Sequence, residues 1–225
     1  MELTVDISKH LFYASWIVLI MQMFRIIGSF FLYYEIGLVI DVAFNCALIL
    51  FSIGIIRLGK EIKSIRNWKI SSISIIIAAS VDILTLVLSY VFVDENWSLS
   101  PLIFIRLVLL IVVLICLIVG FAHLKIVIDG MEEIRLVNRK GRFFVSVGYL
   151  TQFFPAIVVW SVDRIYPDSM LAIIETIAII VFLLASFALI LGYLEIAFTM
   201  KILRDGFIEE EETELQKTNV DIEMD

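Results

Sequence analysis

Six polar side chains stand inside stretches of the chain that are otherwise apolar. Two are arginines, three are carboxylates and one is an amide: Arg25, Arg106, Asp41, Asp82, Glu175 and Gln152. A charge at the centre of a bilayer costs about 2.5 to 3.5 kcal/mol on insertion scales, so charged residues there face the protein interior and pair with one another. The pattern predicts a cluster that either only pairs charges or also binds a small ligand or ion.

Three of these residues share a position within their apolar stretches. Asp41, Arg106 and Glu175 each lie five or six residues after the predicted outer end of a span. At equal depth they could surround a common axis, with the arginine between two carboxylates, and Arg25 would join them from the first span. Asp82 lies deeper, on a stripe of small and polar residues that favours close helix packing. That stripe consists of Ser71, Ala78, Asp82, Thr85 and Ser89.

Gln152 lies in the fifth apolar stretch, three residues before Pro155. Proline leaves the carbonyl of Thr151 without its helical partner and predicts a kink. A kink beside an amide is typical of a cavity wall, and ordinary helix packing explains it equally well.

Residues that catalyse reactions or bind metals are scarce. The two histidines, His10 and His123, lie near predicted span ends, whereas Cys46 and Cys116 lie in apolar runs and form no CxxC pair. None of the motifs HExxH, GxSxG, GxGxxG or a P-loop occurs. We therefore expect no cofactor and no metal site, and a membrane enzyme that works with carboxylates alone is the least favoured class.

The composition predicts a protein that lives in lipid. Of its 225 residues, 61% are hydrophobic, and the mean hydropathy is +1.03, whereas soluble domains are nearer to about half apolar. No sustained alternation of polar and apolar residues occurs, as the strands of a membrane barrel would require. The expected fold class is all-α.

Six stretches are long enough to cross a bilayer, which takes about 20 apolar residues. They are residues 10–34, 36–58, 70–93, 101–124, 143–163 and 170–198. Short turns join the first to the second, the third to the fourth and the fifth to the sixth, so we predict three consecutive helical hairpins. Ser100 and Pro101 suit the cap and first position of the fourth helix.

The orientation follows from basic residues in the two longer connections. These residues are Arg57, Lys60, Lys63, Arg66, Lys69, Lys125, Arg135, Arg139, Lys140 and Arg142. The positive-inside rule places both connections and both termini in the cytoplasm, and we expect a cell-membrane protein. Trp68 and Tyr193 would then lie near the inner boundary of the bilayer, where aromatic residues are enriched.

The even-numbered spans end alike, because Gly54, Gly120 and Gly192 are each followed three positions later by a polar residue. This similarity raises the possibility of repeats at residues 10–66, 70–140 and 143–204. After each even span the helical pattern continues, which predicts amphipathic cytoplasmic extensions. The longest would cover residues 125–140.

The negative charge is concentrated at the end of the chain. Residues 205–225 carry nine acidic side chains and one lysine, net −8, so the first 204 residues hold +1 of the total of −7. We predict a transmembrane domain over residues 1–204 and a disordered acidic cytoplasmic tail over 205–225. Nucleic acid is excluded as a partner. The expected partners are the lipid bilayer and, through the extensions, a second copy or a cytoplasmic protein.

Two classes of function fit these features. The favoured one is a non-enzymatic ligand-binding, sensory or assembly module, and the alternative is a small transporter or channel whose path passes Arg106 and Asp82. Transport needs polar access from both sides, whereas the inner halves of spans two and four, residues 48–56 and 110–122, are almost free of polar groups. That pattern favours a cluster that is open to one side only, although spans three and five could still supply an inner path through Ser71, Ser74 and Ser146.

Overall fold

The computed structural model describes residues 2–31, 34–61, 65–91, 101–129, 145, 148, 149, 151 and 168–223, and all of them are helical. The helices are α1 (Glu2–Phe31), α2 (Tyr34–Glu61), α3 (Ile65–Val91), α4 (Pro101–Asp129) and α5 (Asp168–Glu223). The prediction of an all-α protein is confirmed over these residues. Gln152 and the extension at residues 130–140 lie outside them.

Four segments of these helices are long and apolar enough to cross a membrane. They are Asp6–Gly28, Ile36–Gly59, Arg66–Leu88 and Thr176–Gly206, and α4 adds the shorter apolar run Val108–Leu124. Large apolar side chains cover the outward faces, including Phe24, Val39, Ile115 and Leu184. An outer surface of this kind is solvated by lipid rather than by water. Over its described residues, the chain is therefore an all-helical membrane protein.

The helix boundaries differ from the predicted spans mostly by extension. α4 begins at Pro101 as predicted, whereas α1 begins at Glu2 and α3 at Ile65, ahead of the apolar segments. Once a helix is nucleated, each added residue costs little, so the ends run past the lipid. The extension predicted after the second span continues into residues outside the described part of the chain, since α2 is described as far as Glu61; Leu58, at its start, is fully buried.

The end of the chain also differs from its prediction. α5 is 56 residues long and continues as helix to Glu223, whereas we expected disorder over residues 205–225. Glutamate is a good helix former, and residues 209–212 extend a helix that already exists. The acidic residues need no separate helix nucleus, although the same composition in an isolated segment would favour disorder.

The helices surround a common core. α1 packs against α2 and α5, α2 packs against α3, and α3 packs against α4. Tyr149 stacks on Phe121 of α4, while Gly148 lies against Leu189 of α5. The described residues 145, 148, 149 and 151 therefore contact both α4 and α5.

Glycines permit the closest helix contacts. A Cβ added to Gly54 would lie 2.7 Å from Leu11 Cδ2, one added to Gly120 would lie 2.6 Å from Ile75 Cγ1, and one added to Gly192 would lie 2.7 Å from the backbone nitrogen of Val145. Small residues let helix backbones approach in this way. Each of the three glycines thus faces the helix that precedes it in the chain, while the threefold repeat itself stays a prediction.

Candidate functional site

An ion pair joins the first two helices at their connected ends. Arg25 lies near the end of α1 and Asp41 near the start of α2, so the antiparallel packing of these helices brings them together. Arg25 Nε donates to Asp41 Oδ1 over 2.5 Å, and the two side chains are 27% and 30% exposed. The guanidinium carbon also lies 4.5 Å from the centroid of the Phe44 ring. A charged partner and an aromatic face both stabilise the cation.

Asn45 connects this pair to the third helix. It lies one turn after Asp41 on α2 and is only 2% exposed. Its Nδ2 donates to the backbone oxygen of Asp41 over 3.0 Å and to Asp82 Oδ2 over 2.7 Å. The charge of Asp82 also acts on Arg25. Arg25, Asp41, Asn45 and Asp82 form one group across α1, α2 and α3, which we call the ionic cluster.

Four aromatic rings pack beside the ionic cluster and form what we call the aromatic layer: Phe44, Phe121, Tyr149 and Tyr193. Tyr193 of α5 lies edge-on to the other three rings, with centroid distances of 6.1 Å to Phe44, 5.6 Å to Phe121 and 6.4 Å to Tyr149. The hydroxyl oxygens of Tyr149 and Tyr193 lie 2.5 Å apart in a buried hydrogen bond. Phe44 belongs to both arrangements, because Arg25 lies over its face. The layer therefore joins the ionic cluster to α4 and α5.

The structure brings together three of the six residues predicted for the site: Arg25, Asp41 and Asp82. Arg106 lies on α4 and Glu175 on α5, but their side chains are outside the described part of the structure, as is all of Gln152. The layer of Asp41, Arg106 and Glu175 at one depth stays a prediction. In the described structure, the arginine that contacts Asp41 is Arg25.

The stripe predicted on α3 lies on its buried face. Ser71 and Ala78 are fully buried, Thr85 is 8% exposed, and Asp82 reaches Asn45 from the same face. The side chain of Ser89 lies outside the described residues. Serine and threonine hydroxyls on this helix donate hydrogen bonds to nearby backbone carbonyls. Thr85 Oγ1, for example, donates to Val81 O over 2.8 Å, and these bonds leave the helix intact.

Three polar residues of the ionic cluster and the aromatic layer were not identified as site residues from the sequence: Asn45, Tyr149 and Tyr193. Asn45 could have been found, because it lies four positions after Asp41 and so on the same helix face. Tyr193, which was predicted near the inner membrane boundary, is 2% exposed within the aromatic layer. It lies within the apolar segment Thr176–Gly206 of α5, and its depth in the membrane stays a prediction. Trp68 is likewise buried, at 1% exposed.

The histidines bond locally. His10 Nε2 lies 3.2 Å from the backbone oxygen of Leu50, and His123 Nδ1 lies 3.2 Å from Asn67 Oδ1. Among the described residues, no group of three or more histidine, cysteine or carboxylate side chains is arranged to hold a metal ion.

The ionic cluster offers carboxylate oxygens, an amide and a guanidinium in a half-buried setting, which can bind a small polar or charged ligand. Comparison of the chain with protein-family models, characterised proteins and solved structures gives no match. The function is therefore argued from the geometry of the ionic cluster and the aromatic layer.

Proposed function

We propose that the protein is a non-enzymatic, multi-pass membrane module that binds a small ligand or ion at the ionic cluster and transmits the bound state to the cytoplasm. The observation that carries this proposal is the position of Asn45, which hydrogen-bonds Asp82 on α3 and lies one turn from the Arg25–Asp41 pair. A ligand that changes the charge or the hydrogen bonds at Asp82 would alter contacts on three helices. Coupling of that kind is what a sensory module requires.

The proposal includes a topology of six spans arranged as three hairpins, in the cell membrane, with both termini in the cytoplasm. The packing of α1 on α2 and of α3 on α4 supports the first two hairpins. The basic residues of the connections support the orientation. α5 then continues from the membrane into the cytoplasm, where a second copy or another protein would bind its extension.

The aromatic layer favours binding over transport. Tyr193 contacts rings from α2, α4 and the segment at Tyr149, so polar groups of the ionic cluster meet a packed apolar barrier. Beyond it on α2, Leu48, Phe51 and Ile55 are buried at no more than 2% exposed. A transporter needs access from both sides. On the inner half of α3, Ser71 and Ser72 are buried and Ser74 is partly exposed.

Purification in native-lipid particles followed by mass spectrometry tests the proposal, because it detects a bound ligand and a bound protein together. We expect a small molecule or ion to co-purify with the wild type and with Asp205→Asn, and to be lost from Asp82→Asn. Asp205 is a suitable control, since it pairs with Arg204 and its side chain is 44% exposed. Retention of the ligand by Asp82→Asn would refute the assignment of the site.

Flux measurements in proteoliposomes separate the two classes of function. The binding module predicts no flux of ions or solutes above that of empty vesicles. A flux that Asp82→Asn abolishes would replace the proposal with a transporter or channel.

A further inference from the structure

Aromatic and basic side chains meet where α1 packs against α5, near the start of the apolar segment Asp6–Gly28 and the end of the apolar segment Thr176–Gly206. The guanidinium carbon of Arg204 lies 4.1 Å from the centroid of the Phe12 ring. The Trp16 and Phe198 rings lie deeper in both segments, edge to face, with their centroids 5.9 Å apart. We call the region around these two contacts the basic seam.

Arg204 is held in one orientation at the basic seam. Its Nε and Nη2 donate to Asp205 Oδ1 over 2.9 and 2.6 Å, and its guanidinium lies over the Phe12 ring. Its side chain is 22% exposed, and its Nη1 makes no hydrogen bond within the described part of the chain. The free edge of the guanidinium is therefore positioned before any ligand arrives.

Two lysines lie beside this arginine. Lys201 is three residues after Phe198 and three before Arg204. Since Phe198 and Arg204 both contact α1, Lys201 lies on the side of α5 that is next to α1. Lys9 lies one turn before Phe12 on the same side of α1. Both lysines are exposed, so their ammonium groups can reach a ligand at the membrane boundary.

Exposed aromatic residues distinguish the basic seam from the other group of exposed cations. At the seam, Tyr13 is 61% exposed and Phe198 is 47% exposed. α2 and α3 also carry exposed cations, Arg57, Arg66 and Lys69, but Trp68 beside them is 1% exposed. Aromatic residues at the ends of apolar segments favour the level of the lipid headgroups. The basic seam therefore combines cations with aromatic surface at that level.

We propose that the basic seam binds one anionic phospholipid, with Lys9, Lys201 and Arg204 around its phosphate. Phosphate oxygens accept strong hydrogen bonds from ammonium and guanidinium groups, and a net negative headgroup is attracted to them. The acyl chains would lie along the exposed Ile17 and Phe198, which are deeper in the apolar segments. This inference goes beyond the ligand of the ionic cluster. Only the assignment to the cytoplasmic leaflet, where anionic lipids are concentrated, rests on the proposed topology.

Competition between two lipids tests the proposal. Full-length protein is reconstituted in nanodiscs of phosphatidylcholine that contain a minor fraction of phosphatidylglycerol. Both lipids have a phosphate and the same acyl chains, and they differ in net charge. Native mass spectrometry then counts the lipids that stay bound when the bulk lipid is removed. We expect wild-type protein to retain one phosphatidylglycerol in preference to phosphatidylcholine. The two leaflets of a nanodisc are alike, so the result does not depend on the orientation of the protein.

Three variants locate the effect. Lys9→Gln and Lys201→Gln should each lower the ratio of retained phosphatidylglycerol to phosphatidylcholine about fivefold, the contribution of one cation near a charged membrane surface. Both side chains are exposed, so both variants should fold. Lys69→Gln is the matched control, because Lys69 is an exposed lysine near the start of the apolar segment Arg66–Leu88 of α3, which packs on α2 and α4. Lys69→Gln should retain the wild-type ratio.

Three outcomes would overturn the inference. Equal retention of the two lipids by the wild type would show that the headgroup charge is not recognised. A loss in Lys69→Gln as large as that in Lys201→Gln would show that the total charge of the protein matters and the basic seam does not. The third outcome uses inorganic phosphate, added to the protein in nanodiscs of phosphatidylcholine alone. A rise in unfolding temperature that Lys201→Gln abolishes would assign the seam to a soluble phosphate compound instead of a lipid. The assay with Asp82→Asn tests the ligand of the ionic cluster separately.

Discussion

Arg25 Nε and Asp41 Oδ1 lie 2.5 Å apart, and this contact fixes the connected ends of α1 and α2 against each other. The same arginine lies over Phe44, three residues further along α2. One side chain of α1 thus contacts two residues of α2 about one turn apart, through an ion pair and a cation–π contact.

This pair predicts a measurable coupling energy. Arg25→Gln and Asp41→Asn should each destabilise the protein, and the double variant should recover part of the loss, since neither member of the pair is then left without the other. We expect an interaction energy of about 0.5 to 3 kcal/mol in a double-mutant cycle measured by denaturation in mixed micelles. Purely additive effects would show that the contact contributes nothing beyond its separate parts.

The hydrogen bond between the Tyr149 and Tyr193 hydroxyls predicts that two substitutions again have non-additive effects on stability, although neither residue is charged. Tyr193→Phe keeps the ring contacts but leaves the buried hydroxyl of Tyr149 without its partner, which should cost about 1 to 3 kcal/mol. Tyr149→Phe should cost about the same. The double variant should be more stable than either single one, because both polar groups are then absent. Unfolding of the four proteins under one set of conditions measures this, and a double variant less stable than both singles would contradict the pairing.

The glycine contacts predict an order of sensitivity to alanine. Gly192→Ala meets the backbone nitrogen and Cα of Val145, which cannot rotate away as the end of a side chain can, so it should destabilise most. Gly54→Ala meets mainly the ends of the Leu11 and His10 side chains, which can rotate away, and should cost less. Gly206→Ala has nothing within 4 Å of the added methyl group and should be neutral or stabilising by up to about 1 kcal/mol. A thermal-unfolding series checks the order, and equal effects at all three sites would contradict it.

The topology predicts which residues a membrane-impermeant maleimide can reach. Cys46 is exposed on the outside of the bundle but lies within the apolar segment Ile36–Gly59, so lipid should shield it in intact membranes. In a variant without the two native cysteines, Thr218→Cys should react in inside-out vesicles and not in right-side-out cells. Labelling from the cell exterior would place the end of the chain outside.

The sequence predicts the charged residues of the site better than the uncharged ones. Arg25, Asp41 and Asp82 are identifiable because an ionised group is rare within an apolar span. Asn45 is uncharged and stands out less, although burial makes an amide almost as dependent on partners. The pairing of Arg25 with Asp41 depends on the register between α1 and α2. The residue pattern of one helix does not show how that helix is aligned with another.

The fold shows the same division. Apolar runs and Pro101 locate the helices, because length and local chemistry decide where a helix can cross a bilayer. They do not reveal that Tyr193 faces Phe44 and Phe121, since this depends on how three helices rotate about their own axes.

The continuity of α5 has a mechanical consequence. Its 56 residues span about 84 Å in one helix, with Tyr193 in the aromatic layer and Glu223 at the far end. A helix of this kind resists twisting along its length, so a turn of Tyr193 about the helix axis rotates residues 209–212 through a similar angle. Gly206 lies between them with open space around it. The helix would twist most easily at this residue, so the rotation would be transmitted least well past it. A longer side chain at position 206 should therefore stiffen the transmission rather than block it.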